Sequence, residues 1–170
     1  MLNYNIRIKG VKDGSHEYFF NIDSEFFESF IDSEVTNSEI KVCAKLFKDG
    51  NKLNLSLKFS GEIHNLVCDL CANQIVVSVE NSISILLQES ESELEDTDEI
   101  VYIHPNQHEL DISQLIYEGI ILSIPSKREH VGKEEDNCDK EMIALLNKYT
   151  QKEEKNDPRW DQLNKLKDLI

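Results

Sequence analysis

A chain of 170 residues with 33 acidic against 18 basic side chains carries a formal net charge of -15. That excess repels a phosphate backbone, disfavours broad sequence-independent nucleic-acid binding, and suits either a basic partner or solubility alone. With 39% hydrophobic and 30% charged residues, the chain is long enough for one domain with a real core under a polar surface.

Residues 3–9 and 16–22 read as two short strands around the turn signal "KDGS". "DSEFFESFIDSE" places Phe26, Phe27, Phe30 and Ile31 at helical spacing behind Asp23 or Ser24 as a cap, which predicts a helix over 24–32. "EIKVCAKLF" and "KLNLSLKF" form a hairpin through Asp49-Gly50, with Leu53, Leu55, Leu57 and Phe59 on one face and Lys52, Asn54, Ser56 and Lys58 on the wet one. From Ile75 a long alternation through Val77, Val79, Ile83, Ile85 and Leu87 predicts one long strand, bent near Asn81. Residues 88–99, "QESESELEDTDE", hold seven acids and almost nothing apolar, so a mobile acidic loop is expected there, followed by a short strand "EIVYI".

The segment 111–123 reads as a helix capped by Asp111, with Gln114 completing a capping box and Leu110 with Leu115 as a staple. Its apolar face is Ile112, Leu115, Ile116, Gly119 and Ile120, and Pro125 ends it. "KEMIALLNKY" suits a short helix. Pro158 at a first helical position opens a last one over 158–169, with Trp160, Leu163, Leu166 and Ile170 at helical spacing. No stretch approaches the roughly eighteen apolar residues of a membrane span, and "MLNYNIRIKG" is not expected to act as a secretory signal. Four cysteines in such a chain point to a reducing compartment, with the cytoplasm as default.

No nucleophile motif frames any Ser, the five histidines are scattered, and no phosphate-cradling glycine pattern occurs, so no catalytic residue is named. Thirty-three acids make chance carboxylate pairs unavoidable. The chemistry-bearing feature is the pair Cys68 and Cys71. A redox pair of this spacing belongs at a helix start, where the dipole lowers a thiol pKa. Here "CDLC" runs into a strand, which disfavours that reading. A zinc site needs two more ligands from elsewhere, and Cys138 with His130 are candidates. Cys43, mid-strand among apolar neighbours, reads as a structural or half-buried thiol. The residues alone leave open whether Cys68 and Cys71 bind zinc or are two packed structural thiols.

Three landmarks in order, "VCDLC" before a long strand, "DISQLIYEGIILSIPSKREH" before Cys138, and "NDPRWDQLNKLKD" at the end, resemble the YceD family of large ribosomal RNA subunit accumulation proteins. The resemblance runs from about residue 53 to the end, and its most specific part joins Glu118, Leu122 and Pro125. It places Cys68, Cys71 and Cys138 at family positions and His130 where many members carry Cys or His. The chain departs from the family in three respects. Asp69 replaces the usual Arg, Lys or Gln, His130 and Cys138 lie eight positions apart, and the full second cysteine pair is absent.

The resemblance implies a non-enzymatic factor for large-subunit ribosomal RNA accumulation and ribosome biogenesis, acting through basic ribosomal or assembly proteins. Glu118, Pro125, Lys127, Arg128 and Trp160 are the expected partner contacts. Lys127 with Arg128 and the cluster Lys152, Lys155, Arg159, Lys165 and Lys167 are the places where RNA could touch, although solvated helix faces account for both. Rival readings are a zinc-binding interaction module unrelated to ribosomes and a metal-dependent RNA-processing enzyme. No membrane or small-molecule substrate is expected. The expected fold is a single α+β domain over 1–170, a curved antiparallel sheet (partial barrel) with a few flanking helices.

Overall fold

The computed structural model describes residues 3–31, 33–92, 94–130 and 138–150. The chain is α+β. Five strands, β2 (Gly14–Ile22), β3 (Asn37–Asp49), β4 (Lys52–Val67), β5 (Gln74–Glu89) and β6 (Ile100–Ile103), form one open sheet in that order. Strand β1 (Asn5–Arg7) and strand β7 (Glu109–Asp111) form a separate antiparallel pair. Three helices complete the described elements: α1 (Ser24–Phe27), α2 (Ser113–Ile121) and α3 (Lys140–Thr150).

Period-two alternation built the three long strands as expected. In β4, Leu53, Leu55, Leu57 and Phe59 are buried while Lys52, Asn54 and Lys58 face solvent. The Asp49-Gly50 turn closes the β3–β4 hairpin, with Asp49 paired to Lys52 and Gly50 at a φ of 57° that glycine adopts without strain. On the buried face of the sheet, α2 packs at Gly119. A Cβ there would enter the Phe59 ring, so only glycine lets the helix approach this closely. Asn81 secures the contact by donating from Nδ2 to the Gly119 carbonyl at 3.0 Å. Tyr117 of α2 stacks on Phe30, with centroids 4.1 Å apart and planes 8° from parallel. Phe26 and Phe27 extend that aromatic cluster toward Tyr4.

Four expectations need correction. The sheet is mostly antiparallel, but its edge strand β6 runs parallel to β5, because the acidic stretch after Glu89 is a crossover rather than a tight turn. The N-terminal strand pairs with β7 and not with β2, a pairing about a hundred residues away that no local pattern announces. Helix α1 spans one turn instead of 24–32. Asp23 caps it by accepting from Glu25 N at 3.1 Å, Phe26 and Phe27 are buried, and Ile31 lies in solvent, 91% exposed. At α2 the capping box does not form. Ile112 is the N-cap, Asp111 accepts from Ser113 N, and Gln114 donates to Glu118 instead of back to Asp111. The β4–β5 register runs unbroken through Asn81 and shifts between Ile63 and Leu66, where Asn65 takes a φ of 63°.

Helix α3 lies where "KEMIALLNKY" suggested, with none of its residues buried. The helix expected over 158–169, with Trp160, lies outside the described residues. Among the described residues no helix is long and apolar enough to cross a membrane.

Candidate metal centre

Cys68 and Cys71 sit in the connection between β4 and β5, the six residues from Cys68 to Asn73. Two backbone hydrogen bonds shape it: Cys68 N donates to Asn73 O at 2.9 Å and Ala72 N donates to Cys68 O at 3.0 Å. Ala72 has a φ of 60°, a left-handed conformation that costs a non-glycine residue about 1 kcal/mol. Such strain persists only where the surroundings over-determine it. The result is a tight knuckle that turns both thiols inward. Each is 2% exposed.

The chain returns to this knuckle after α2. Asp69 N donates to Arg128 O at 2.8 Å, and Arg128 N donates to Asp69 Oδ2 at 2.7 Å, a reciprocal clasp that sets the 128–130 segment against the turn. The Arg128 guanidinium adds a 2.9 Å ion pair to Glu34 and lies 3.7 Å from Asp69. Two residues on, His130 is buried, with Nδ1 3.6 Å from Cys71 Sγ and Nε2 3.3 Å from the Gln74 carbonyl oxygen. A carbonyl only accepts, so Nε2 carries the ring proton and Nδ1 presents a lone pair toward the sulfurs. Cys138, half-buried, completes the group just before α3, whose first turn Asp139 caps by accepting from Glu141 N.

The ligand atoms of Cys68, Cys71, His130 and Cys138 all lie within 4.8 Å of one another. A tetrahedral zinc with Zn–S near 2.3 Å and Zn–N near 2.0 Å holds sulfurs about 3.8 Å apart and a sulfur and nitrogen about 3.6 Å apart. The Cys71–His130 separation of 3.6 Å already has that value. Three soft sulfurs and one imidazole are the donor set of a closed, four-ligand structural site.

The thiols bear on the same point. Burial works against a Cys68 thiolate, yet N–H groups of Cys71, Leu70 and His130, with the Cys71 side chain, outweigh it and draw the thiol down to about 6. Cys138 goes the other way, to about 12, through burial and through the two sulfurs facing it. Three thiols this close share one negative charge readily and resist a second, a burden that a bound dication relieves.

The other residues marked in the sequence are dispersed. Cys43 is half-buried on β3, outside this group. Glu118 lies on α2 beside a cleft, and Pro125 follows that helix. Lys127 pairs with Glu129. Sequence reasoning treated Asp69 only as a departure from a pattern, whereas it holds the His130 segment in place. Arg128, expected at a partner, pairs with Glu34 and lies beside Asp69.

Over residues 55–167 the chain matches the family described as Large ribosomal RNA subunit accumulation protein YceD. Neither a curated protein nor a solved structure matches it.

Proposed function

The chain belongs to the YceD family, and from that premise we propose that it is a non-enzymatic factor for large-subunit ribosomal RNA accumulation, working in the cytoplasm during ribosome biogenesis. The family match carries this reading, since the family is described as an accumulation protein and not by a reaction. The Cys68, Cys71, His130 and Cys138 group serves it as a structural zinc site. Bound zinc would cross-link the β4–β5 knuckle, the segment after α2 and the start of α3.

Basic ribosomal or assembly proteins are the partners that suit a charge of -15. A cleft of about 400 Å³ beside α2 supports this. Leu115 and Leu122 offer apolar surface, Leu122 being 79% exposed, and Asp96, Asp98, Asp111 and Glu118 surround it with carboxylates. A segment with an apolar anchor and flanking lysines or arginines meets both needs.

The test is the ratio of large- to small-subunit ribosomal RNA in cells depleted of the protein. The ratio falls selectively and recovers with the native chain. Rescue fails with Cys68→Ser, Cys71→Ser if the zinc-held arrangement is what acts. An unchanged ratio on depletion removes the proposed role.

A further inference from the structure

The open sheet ends in two edge strands, and the fold treats them differently. An edge strand turns alternate backbone N–H and C=O groups outward, and natural sheets shorten, charge or cover such edges because another extended chain can pair with them. Edge strand β6 has four residues and is covered by the acidic stretch before it. Ile100 O accepts from Thr97 N at 2.8 Å, Ile100 N donates to Thr97 Oγ1 at 3.1 Å, and Tyr102 N donates to Asp96 Oδ1 at 2.8 Å. Edge strand β2 has nine residues, no proline and no break in its register with β3. Outside that ladder its backbone makes one hydrogen bond among the described residues, accepting at Ile22 O from Ser38 Oγ at 3.3 Å.

Burial along β2 stops short as well. Tyr18 and Phe20 turn to the core side but are only half-buried, whereas Ala44 and Val42, their partners on β3, are buried. On the opposite face Phe19 is 74% exposed. A further strand beside β2 covers all three rings and takes the outward N–H and C=O groups into a ladder. The edge is also close to neutral, since Glu17 is the one acid in β2 and it pairs with Lys45 at 3.6 Å. A basic segment of the kind proposed for the α2 cleft finds no free carboxylate on this strand. An acidic segment is repelled by a body of net charge -15. The strand that matches this edge in length, aromatic content and charge is β2 itself.

We propose that β2 pairs antiparallel with β2 of a second copy about a two-fold axis, so that the sheet continues from one chain into the next. The two-fold sets residues of the same face opposite one another. In the register centred on Phe19 the two Phe19 rings meet, and Glu17 lies opposite Asn21 of the second copy. On the core side Tyr18 lies opposite Phe20 of the second copy. Cross-strand aromatic pairs stabilise a sheet, and no like charges face each other in this register. Centring on Glu17 instead sets two carboxylates opposite and is disfavoured. Salt at physiological strength screens the acids of the two bodies beyond about 8 Å, which leaves the neutral edges free to approach. This interface goes beyond the role proposed above and does not depend on it.

Sedimentation velocity of the full chain, with zinc supplied, tests it from about 1 µM to about 100 µM, the range in which pairing of micromolar strength is read. The native chain passes from monomer to dimer as its concentration rises. Phe19→Glu weakens dimerisation about tenfold or more by setting like charges opposite, and Phe19→Lys does the same. An equimolar mixture of the two variants dimerises again, because the facing charges then attract. Phe19 is exposed, so an unchanged far-ultraviolet circular dichroism spectrum and an unchanged zinc content show that each variant is folded. The proposal is overturned by a native chain that stays monomeric through this range, by dimerisation indifferent to Phe19→Glu, or by variants whose mixture stays monomeric.

Discussion

The sheet reverses direction at two successive hairpins, and the two connections are built differently. Between β3 and β4 the chain turns through Gly50 and Asn51, with glycine in the left-handed region where it costs nothing. Between β4 and β5 it takes six residues, puts an alanine in that same region, and buries two cysteines. The first turn only has to reverse the strand, so local propensity settles it. The second has to aim two sulfurs at His130 and Cys138, and it accepts backbone strain to do so. Strain at one turn and ease at its neighbour mark where the fold serves something other than itself.

The largest difference between the two connections should come from metal. Cys68→Ser with Cys71→Ser removes zinc binding and, with free zinc a thousandfold above Kd, about 4 kcal/mol of stability, read as a lowered unfolding midpoint with and without chelator. Zinc affinity of the native chain rises with pH. Cys68, at about 6, is a thiolate at neutral pH, but Cys138, at about 12, must release a proton to ligate. Each such proton changes affinity about tenfold per pH unit, and competition with a metal indicator across pH measures the slope.

Next is Gly119→Ala, which forces a methyl group into the Phe59 ring and costs about 2 kcal/mol in urea denaturation while leaving zinc content intact. Asp69→Ala opens the clasp on Arg128 and lowers zinc affinity about tenfold with little loss of stability in the metal-free chain. The smallest effect belongs to the strained turn. Ala72→Gly relieves about 1 kcal/mol of left-handed strain against about 0.5 kcal/mol of added chain entropy, a net gain near 0.5 kcal/mol. Cys43→Ser, on the open sheet face, shifts stability by less than about 0.5 kcal/mol and leaves zinc content unchanged.

Wherever a local signal carried the information, the sequence was readable. Alternation along "KLNLSLKF", the Asp49-Gly50 turn and the apolar stripe of α2 each express a period or a turn chemistry within a dozen residues. The N-terminal strand was misread because its partner, Glu109–Asp111, lies across the whole sheet in sequence, and a three-residue strand has no pattern of its own. The helix at Phe26 was overextended because Phe30 and Ile31 keep the spacing, yet Phe30 is held by stacking on Tyr117 and Ile31 by nothing described. At the candidate site, the four ligand types could be picked out by chemistry and by resemblance to the family. Their convergence could not, since it depends on Asp69 meeting Arg128 across 59 positions of sequence. The exposure of Phe19 was equally hidden. In "HEYFFNI" either aromatic could face inward, and only the register with Cys43 decides which one does.

The central claim, that the β4–β5 knuckle is shaped by a metal, is tested most directly by zinc X-ray absorption on the purified native chain. The account predicts one zinc per chain, with three sulfurs at about 2.3 Å and one nitrogen at about 2.0 Å. A chain free of zinc after purification that also takes up none when it is supplied, its four thiols reacting freely with a thiol reagent, would contradict it.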